Sequence, residues 1–494
     1  MNKVRFAPSP TGPFHIGNAR TALFNHLFAK KYGAGFVLRI EDTDKERSKK
    51  EYEEGILSCL KWLDIEWNEG PYRQSERKEI YEKYVDKLIE EKKVYYCFCA
   101  KQELEAQRQY AMSIGKPPLY AGKCHQLKKE ELEKNLKEKK PYVLRLKTPS
   151  KKIAFQDIIR GKIEYDSDTL GDFVIAKGKQ PLYNLACAID DFEMKITHVI
   201  RGEDHIPNTP KQILINKALG FKNPKFLHLP LVLGPDKSKL SKRHGATFMK
   251  QYEEEGFLPE ALINFMAFLG WNPKTEKEVF SLKELEKEFT FEKIQKSGAV
   301  FNINKLLWLN GFYIRKMPLD KLAELCCPYL IKAGLIFPLW DQKQLIVGAL
   351  KQPFAVTEYQ DKKGEKLPFS YIKEAVGFYQ ERLKKLSEIS ELIDYFFEEP
   401  EIDKNLLKWK NMKEKDVASS LDKSKKILSK IKKWNEEEIT KALMKEADKI
   451  GDRGKLLWPL RVALSGKKSS AGPFEIAYLL GKEKTLRRIK KAKP

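Results

Sequence analysis

No segment of this 494-residue chain approaches the roughly 18 consecutive apolar residues that a membrane helix needs, so no membrane span is expected. Cysteine is scarce: seven residues, an odd number, at 59, 97, 99, 124, 187, 326 and 327. That argues against a disulfide scaffold and for a large, non-secreted chain in a reducing, cytoplasmic compartment. The opening Met1-Asn2-Lys3-Val4-Arg5-Phe6 lacks the apolar core of a signal peptide and reads as the start of a domain. No internal repeat is visible. Acidic residues are outnumbered, 69 Asp+Glu against 93 Lys+Arg, for a net charge of +24.

Hydrophobic residues make up 42% and aromatic residues 11%, enough for large cores and too much for global disorder. The length predicts about three domains at roughly 150 residues each. The positive charge is uneven. Residues 401–494 hold 26 Lys+Arg against 13 Asp+Glu, a net +13. Such a tail is either a set of solvated helix faces or a surface for a polyanion, whose condensed counterions it would displace.

The N-terminal pattern is strand, loop, helix, strand. Lys3 to Ala7 reads as a short buried strand, and the Pro8-Ser9-Pro10-Thr11-Gly12-Pro13 segment as a loop. Asn18 to Tyr32 reads as a helix with Ala22, Leu23, Leu27 and Phe28 on one apolar face, ended by Gly33. Phe36 to Ile40 is the next strand. In such a parallel crossover unit, ligands bind at the strand's C-terminal end near the helix N-terminus. Tyr52–Leu63 and Ile80–Glu91 are expected helices. From Cys97 to Tyr183 the pattern is mixed and looks like an insertion. Ile196–Ile200, a helix over Pro207–Leu219 and a strand over Phe226–Leu233 follow, and from Leu258 onward the chain reads as mostly helical. Lys362-Lys363-Gly364-Glu365-Lys366 reads as a surface loop.

Two strings carry chemistry. His15-Ile16-Gly17-Asn18 puts an imidazole at a helix N-terminus, where it can donate to a phosphate oxygen, and Gly17 allows close approach. Lys239-Leu240-Ser241-Lys242-Arg243 puts two lysines on a Gly/Pro-flanked loop that can close on a triphosphate. Taken singly, the first is an ordinary capping loop and the second an exposed basic turn. Together they suit transfer of AMP from ATP to a carboxylate, which needs donors on the reacting phosphorus and the leaving pyrophosphate.

Together they also resemble the two signatures of class I aminoacyl-tRNA synthetases. Further strings extend the likeness: Arg5-Phe6-Ala7-Pro8-Ser9-Pro10-Thr11-Gly12, Leu38-Arg39-Ile40-Glu41-Asp42-Thr43-Asp44, Gly70-Pro71-Tyr72-Arg73-Gln74-Ser75, Thr197-His198-Val199-Ile200-Arg201-Gly202-Glu203-Asp204-His205 and Trp458-Pro459-Leu460-Arg461. The whole chain resembles bacterial glutamyl-tRNA synthetases. The resemblance implies an α/β fold: a Rossmann-like parallel-sheet catalytic domain with a mixed α/β insertion, then an all-α C-terminal anticodon-binding region. The implied limits are 1–80 with 188–236 for the catalytic domain and 81–187 for an acceptor-binding insertion. A stem-contact region with the lysine loop takes 237–320, and the anticodon-binding domain 321–494.

The resemblance also implies roles. Arg5 and Arg201 would bind the glutamate side-chain carboxylate, with Tyr183 adding a hydroxyl and Cys187 aligned to the same pocket. Ser9 and Glu41 would face the substrate α-amino end. His15, Gly17, Glu203, Asp204, His205, Lys239 and Lys242 would hold ATP, with Leu231 and Val232 walling the adenine and magnesium carried by the triphosphate. His15, Lys239 and Lys242 would act in catalysis. The partners implied are L-glutamate and tRNA-Glu, for a monomeric enzyme. Arg382 aligns with a position that favours tRNA-Glu over tRNA-Gln; as a surface residue it could instead pair with Glu381 or Glu388.

Some members of the family hold zinc in the insertion with Cys-x-Cys and Cys-x-His. Here Cys97-x-Cys99 is followed by Cys124-His125-Gln126, so glutamine stands at the histidine position. The reading therefore favours a metal-free remnant, with zinc as the alternative and no metal ligand assigned. Rival functions are a shortened relative that modifies a tRNA base, a non-discriminating enzyme, a tRNA-binding pseudoenzyme and a small-molecule adenylating ligase. The long basic helical half argues against the first and last. Retention of Arg5, His15, Lys239 and Lys242 argues against the pseudoenzyme.

Overall fold

The computed structural model describes residues 2–149, 151–339 and 358–494, without the side chains of residues 168 and 242. These residues form two compact units, Met1–Glu253 with Leu258–Leu306, and Glu254–Phe257 with Leu307–Pro494. Among the described residues no helix is long and apolar enough to cross a membrane.

In the first unit, β1 (Lys3–Phe6), α1 (Ile16–Tyr32) and β2 (Gly35–Ile40) form the anticipated crossover, with β1 and β2 parallel from Lys3↔Gly35 to Phe6↔Leu38. Helix α2 (Lys50–Trp62) leads to β3 (Glu69–Arg73), which pairs with the far side of β2. Helix α1 begins at Ile16, two residues before the expected start, because His15 is its N-cap. It ends where Gly33 takes a left-handed φ of 58°, a conformation costly for other residues. A single apolar face was expected, but α1 is enclosed nearly all round. Asn25 and His26 are buried alongside Leu23 and Leu27. Most of their polar atoms find partners: the Asn25 amide nitrogen donates to the Thr21 and Ile200 carbonyls, and His26 Nε2 pairs with Glu286.

Helix α3 (Lys78–Glu90) opens into the insertion, which contains β4 (Val94–Cys97), α4 (Lys101–Ser113), α5 (Lys129–Lys137), β5 (Val143–Leu146), β6 (Lys152–Asp157), β7 (Gly161–Asp166), β8 (Val174–Lys177) and β9 (Gln180–Pro181). Strands β4, β5, β8 and β9 make an antiparallel sheet. The β6–β7 hairpin rejoins the main sheet, where Asp157 sits opposite Phe226. Helix α6 (Tyr183–Glu193) packs Leu185 and Ile189 into one core with Val85 and Leu88 of α3.

The chain then makes β10 (His198–Gly202), α7 (Thr209–Leu219), β11 (Lys225–Leu229) and β12 (Val232–Leu233). Strands β10 and β11 are parallel, and the Thr197 amide donates to the Lys3 carbonyl at 2.9 Å, so β10 lies beside β1. The order is β3-β2-β1-β10-β11, with direction of winding reversing between β1 and β10, where open parallel sheets leave a crevice. The single strand expected over Phe226–Leu233 is broken after Leu229. Pro230 has no N–H to give a ladder, and the Leu231 amide donates instead to Glu203 Oε1 at 2.6 Å.

The second unit is mainly helical, with helices at Leu319–Lys332, Phe369–Gly377, Ile389–Phe397, Glu414–Ser429, Glu436–Ile450, Gly454–Ser465 and Pro473–Ala492. It adds a small antiparallel sheet of Phe337–Pro338, Glu358–Gln360 and Lys366–Pro368. The expected Lys362–Lys366 surface loop falls on the turn of its hairpin, except that Lys366 already belongs to the last strand and pairs with Gln360.

Candidate active site

A cavity of about 570 Å³ opens at the β1–β10 reversal. Strand ends, two helix N-termini and adjoining loops line it. Arg5 and the Ala7–Thr11 loop come from the end of β1, His15 and Gly17 from the start of α1, and Glu41 from just past β2. Tyr183 enters from the start of α6. Arg201, Asp204 and His205 come from β10 and the turn after it, and Leu231, Val232 and Lys239 from β12 and the lysine loop. Twelve residues singled out from sequence thus share one wall: Arg5, Ser9, His15, Gly17, Glu41, Tyr183, Arg201, Asp204, His205, Leu231, Val232 and Lys239.

Others lie elsewhere. Cys187 is behind the wall, fully buried, its Sγ 3.6 Å from Arg39 Nη2 and 3.8 Å from Asp191 Oδ2. Burial pushes its thiol up to about 12, so it is a neutral packing group. Glu203 is also outside the lining, and braces it by accepting the Leu231 amide and pairing with Arg160. The Lys242 side chain lies outside the described residues. Arg382 is in the second unit, in a turn just after helix Phe369–Gly377. Its Nη1 donates to the Ser470 carbonyl at 3.0 Å, a partner other than Glu381 or Glu388.

The protonation pattern follows from contacts. His15 Nδ1 accepts the Gly17 amide at 3.0 Å, which leaves the proton on Nε2 as a free donor at the N-terminus of α1. Burial, then the Lys239 charge, lowers its pKa and keeps it neutral. Tyr183 Oη lies 3.0 Å from His205 Nδ1. Burial, reinforced by Arg201, pulls His205 down to about 4. Lys239 Nζ rests 3.3 Å from Asp204 Oδ2, both side chains half in solvent. The lysine loop is a short hairpin: Leu240 N donates to Val232 O, and Leu233 bridges Lys239.

Beneath the wall lies a network of charges that the sequence reading missed. Arg39, wholly buried, donates to Asp191 Oδ1 at 2.8 Å and Glu41 Oε1 at 3.0 Å, and Arg5 Nε donates to the same Asp191 oxygen at 3.1 Å. Burial opposes ionisation of Asp191, but the Arg5 and Arg39 charges outweigh it and hold its pKa low. Burial raises Glu41 against the pull of Arg39 and Arg5. Arg20 was also missed. It donates to the Pro230 carbonyl at 2.6 Å and the Leu269 carbonyl at 3.0 Å, fixing the strand break beside Leu231. The available signal was a charged or titratable residue inside an apolar strand, as in Leu38-Arg39-Ile40 and Leu227-His228-Leu229.

A separate cluster lies in the insertion. The sulfurs of Cys97, Cys99 and Cys124 all lie within 4.8 Å of one another. His125 turns away, stacking on Tyr95 with centroids 4.8 Å apart, and Gln126 lines the same small pocket as Cys99 and Cys124. The fourth polar group is one the sequence reading did not consider. Tyr120 Oη is 3.5 Å from Cys99 Sγ and accepts the Cys124 amide at 2.8 Å. Three soft thiols and an oxygen suit zinc.

Comparison with known proteins agrees with this architecture. Residues 2–308 match the family described as tRNA synthetases class I (E and Q), catalytic domain, and residues 321–493 match an anticodon binding domain. A glutamate–tRNA ligase 2 of Thermoanaerobacter pseudethanolicus is 44% identical over 99% of this chain and 97% of its own. A glutamate–tRNA ligase 1 of Caldanaerobacter subterraneus is 44% identical over the same shares. The crystal structure of a glutamate tRNA ligase from Elizabethkingia meningosepticum in complex with its amino acid superposes with a TM-score of 0.84 at 34% identity, covering 99% of each chain. A parallel-sheet crevice with His15 and Lys239 on one wall, a helical C-terminal unit and these full-length matches lead to one assignment: the chain belongs to the class I aminoacyl-tRNA synthetases, in the branch that holds the glutamate and glutamine enzymes.

Proposed function

We propose that this chain joins L-glutamate to the 3′-terminal adenosine of tRNA-Glu in two steps. The observation that carries the reading is the pair of guanidinium groups, Arg5 and Arg201, on the wall of a cavity that also holds His15 and Lys239. Two arginines suit a carboxylate side chain and give a carboxamide nothing extra. Full-length likeness to glutamate–tRNA ligases supports the same substrate.

In the first step a glutamate α-carboxylate oxygen attacks the α-phosphorus of ATP, and the bond to the β-phosphate oxygen breaks to release pyrophosphate. His15 Nε2–H and Lys239 neutralise the charge that develops on the phosphates, and Lys242 joins them as the loop closes. Glu41 supplies a negative charge for the substrate ammonium, with Ser9 beside it. Leu231 and Val232 wall the adenine, and magnesium arrives with the triphosphate. In the second step the 2′-hydroxyl of the terminal adenosine attacks the glutamyl carbonyl. AMP leaves and the hydroxyl proton passes to solvent or phosphate.

The enzyme acts as a monomer, with residues 81–187 receiving the acceptor end, 237–320 the stem and 321–494 the anticodon. Arg382 steers it away from tRNA-Gln. The Cys97, Cys99, Cys124 and Tyr120 set holds a zinc ion that ties β4 to the Cys124 turn. That ion is structural, and the reaction does not run through it.

The test is aminoacylation with labelled glutamate, ATP and magnesium on purified tRNA-Glu and tRNA-Gln in parallel. Charging of tRNA-Glu alone is expected. Charging of both removes the role given to Arg382, and charging of neither removes the synthetase reading.

A further inference from the structure

Behind Arg201 runs a buried chain of hydrogen bonds that reaches the end of β6. Asp157 has no exposed surface. Its Oδ1 accepts the amides of Ile159 at 2.9 Å and Arg160 at 2.8 Å. Its Oδ2 accepts the His228 amide at 3.1 Å and His228 Nδ1 at 2.7 Å. Both carboxylate oxygens are therefore committed to N–H donors, and the proton of the His228 ring must be on Nδ1. The lone pair is left on Nε2.

That lone pair faces Arg201, whose Nε lies 3.2 Å away. Arg201 Nη2 donates to Thr209 Oγ1 at 2.8 Å, and Thr209 Oγ1 is itself 3.1 Å from His228 Nε2. One whole edge of the guanidinium is thus consumed. The remaining nitrogen, Nη1, is buried and has no hydrogen-bond partner, and Arg201 lines the cavity. A buried cationic N–H without an acceptor is costly, and a carboxylate oxygen would relieve it.

We propose that His228 and Asp157 are positioning residues for glutamate: Asp157 fixes the His228 tautomer, His228 gives Arg201 Nε an acceptor, and the pair thereby aims Arg201 Nη1 at the substrate side-chain carboxylate. The opposite tautomer, or an imidazolium, would put Nε2–H against Nε–H and turn the guanidinium out of plane. Burial keeps His228 neutral, against the pull of its Asp157 bond. The inference rests on the reading that Arg201 binds the glutamate side chain.

Two isosteric variants separate the links. His228→Asn keeps an amide N–H near the place of Nδ1, hence the Asp157 bond, but is too short to offer Arg201 an acceptor. His228→Gln carries an amide oxygen out to the place of Nε2. Glutamate and ATP dependence of aminoacylation would be measured at saturating tRNA for both, with Arg201→Ala in parallel. His228→Asn is expected to raise the glutamate KM about tenfold or more with the ATP KM within about twofold, and His228→Gln to recover most of that loss. A normal glutamate KM in His228→Asn, an equal rise in both KM values, or no difference between the Asn and Gln variants overturns the proposal. A normal glutamate KM in Arg201→Ala overturns the underlying assignment of Arg201, whatever the His228 variants do.

Discussion

Arg5 Nε donates to Asp191 Oδ1 at 3.1 Å inside the protein, with both side chains more than nine-tenths buried. The contact spends the Nε edge of Arg5 and leaves its Nη groups for the cavity. Because Arg39 uses the same oxygen, removing Asp191 takes the carboxylate partner from buried Arg5 and leaves buried Arg39 only Glu41 and the more distant Asp190. Asp191→Ala is therefore expected to lower unfolding free energy by about 3–5 kcal/mol, the usual result of breaking a buried pair from one side. Asp191→Asn, which still offers an oxygen, should lose less stability yet raise the glutamate KM. A denaturant midpoint within error of wild type for the Ala variant would show that the network carries no net stability.

Lys239 and Asp204 form the opposite kind of pair, exposed and 3.3 Å long. Exposed pairs contribute about 0–1 kcal/mol, so Lys239→Ala should leave the thermal midpoint nearly unchanged. Its effect belongs to the transition state. Loss of a cation on the departing pyrophosphate is expected to slow tRNA-dependent ATP–pyrophosphate exchange about 100-fold or more. Exchange at the wild-type rate would remove Lys239 from the chemistry and leave it as Asp204's surface partner.

How much of this the sequence carried depends on distance along the chain. The β1–α1–β2 crossover was legible because Val4, Phe6, Leu23 and Leu27 repeat at strand and helix spacing. The strand break at Pro230 was equally available in principle, since proline cannot donate to a ladder. The helix expected from Pro207 starts at Thr209, because residues 203–208 form a tight turn that carries Glu203, Asp204 and His205. What stayed hidden is the support beneath the cavity. Asp191 lies 186 positions from Arg5, and Asp157 lies 71 from His228. No periodicity joins such pairs; only the closed sheet does. Tyr120 stayed hidden for another reason: a neutral tyrosine hydroxyl carries no ligand signature in sequence, and only its 3.5 Å distance to Cys99 Sγ joins it to the cluster.

The thiol cluster gives a prediction independent of catalysis. Metal analysis of protein purified without chelator should find about one zinc per chain, lost in Cys124→Ser. Prolonged chelation should lower the thermal midpoint while leaving the glutamate KM of the surviving enzyme unchanged, because metal binding that favours the native state acts on stability by mass action. Absence of zinc from freshly purified protein would return the cluster to the metal-free remnant read from Gln126.

Acid sensitivity follows from the buried histidines, and its sign is fixed. Burial and Arg201 pull His205 down to about 4, whereas an unfolded histidine titrates near 6.5. Above pH 6.5 neither state holds the proton, and the group adds no pH dependence. Between pH 6.5 and 4 the unfolded chain takes up a proton that the native state refuses, so native stability falls as pH falls. The slope is up to about 1.4 kcal/mol per pH unit for each such group, and it ends below pH 4 when both states are protonated. His228 is lowered in the same direction. Asp157 and Asp191, both depressed, add a further loss at lower pH, as they are protonated through their folded values. Urea midpoints should accordingly be level from pH 8 to 7 and decline from 6.5 to 4. His205→Gln, which removes one titrating group, should make that decline shallower by up to one proton's worth of slope. An unaltered slope in that variant would mean that His205 ionises in the folded enzyme as it does in water, and the neutral imidazole beside Tyr183 would have to be abandoned.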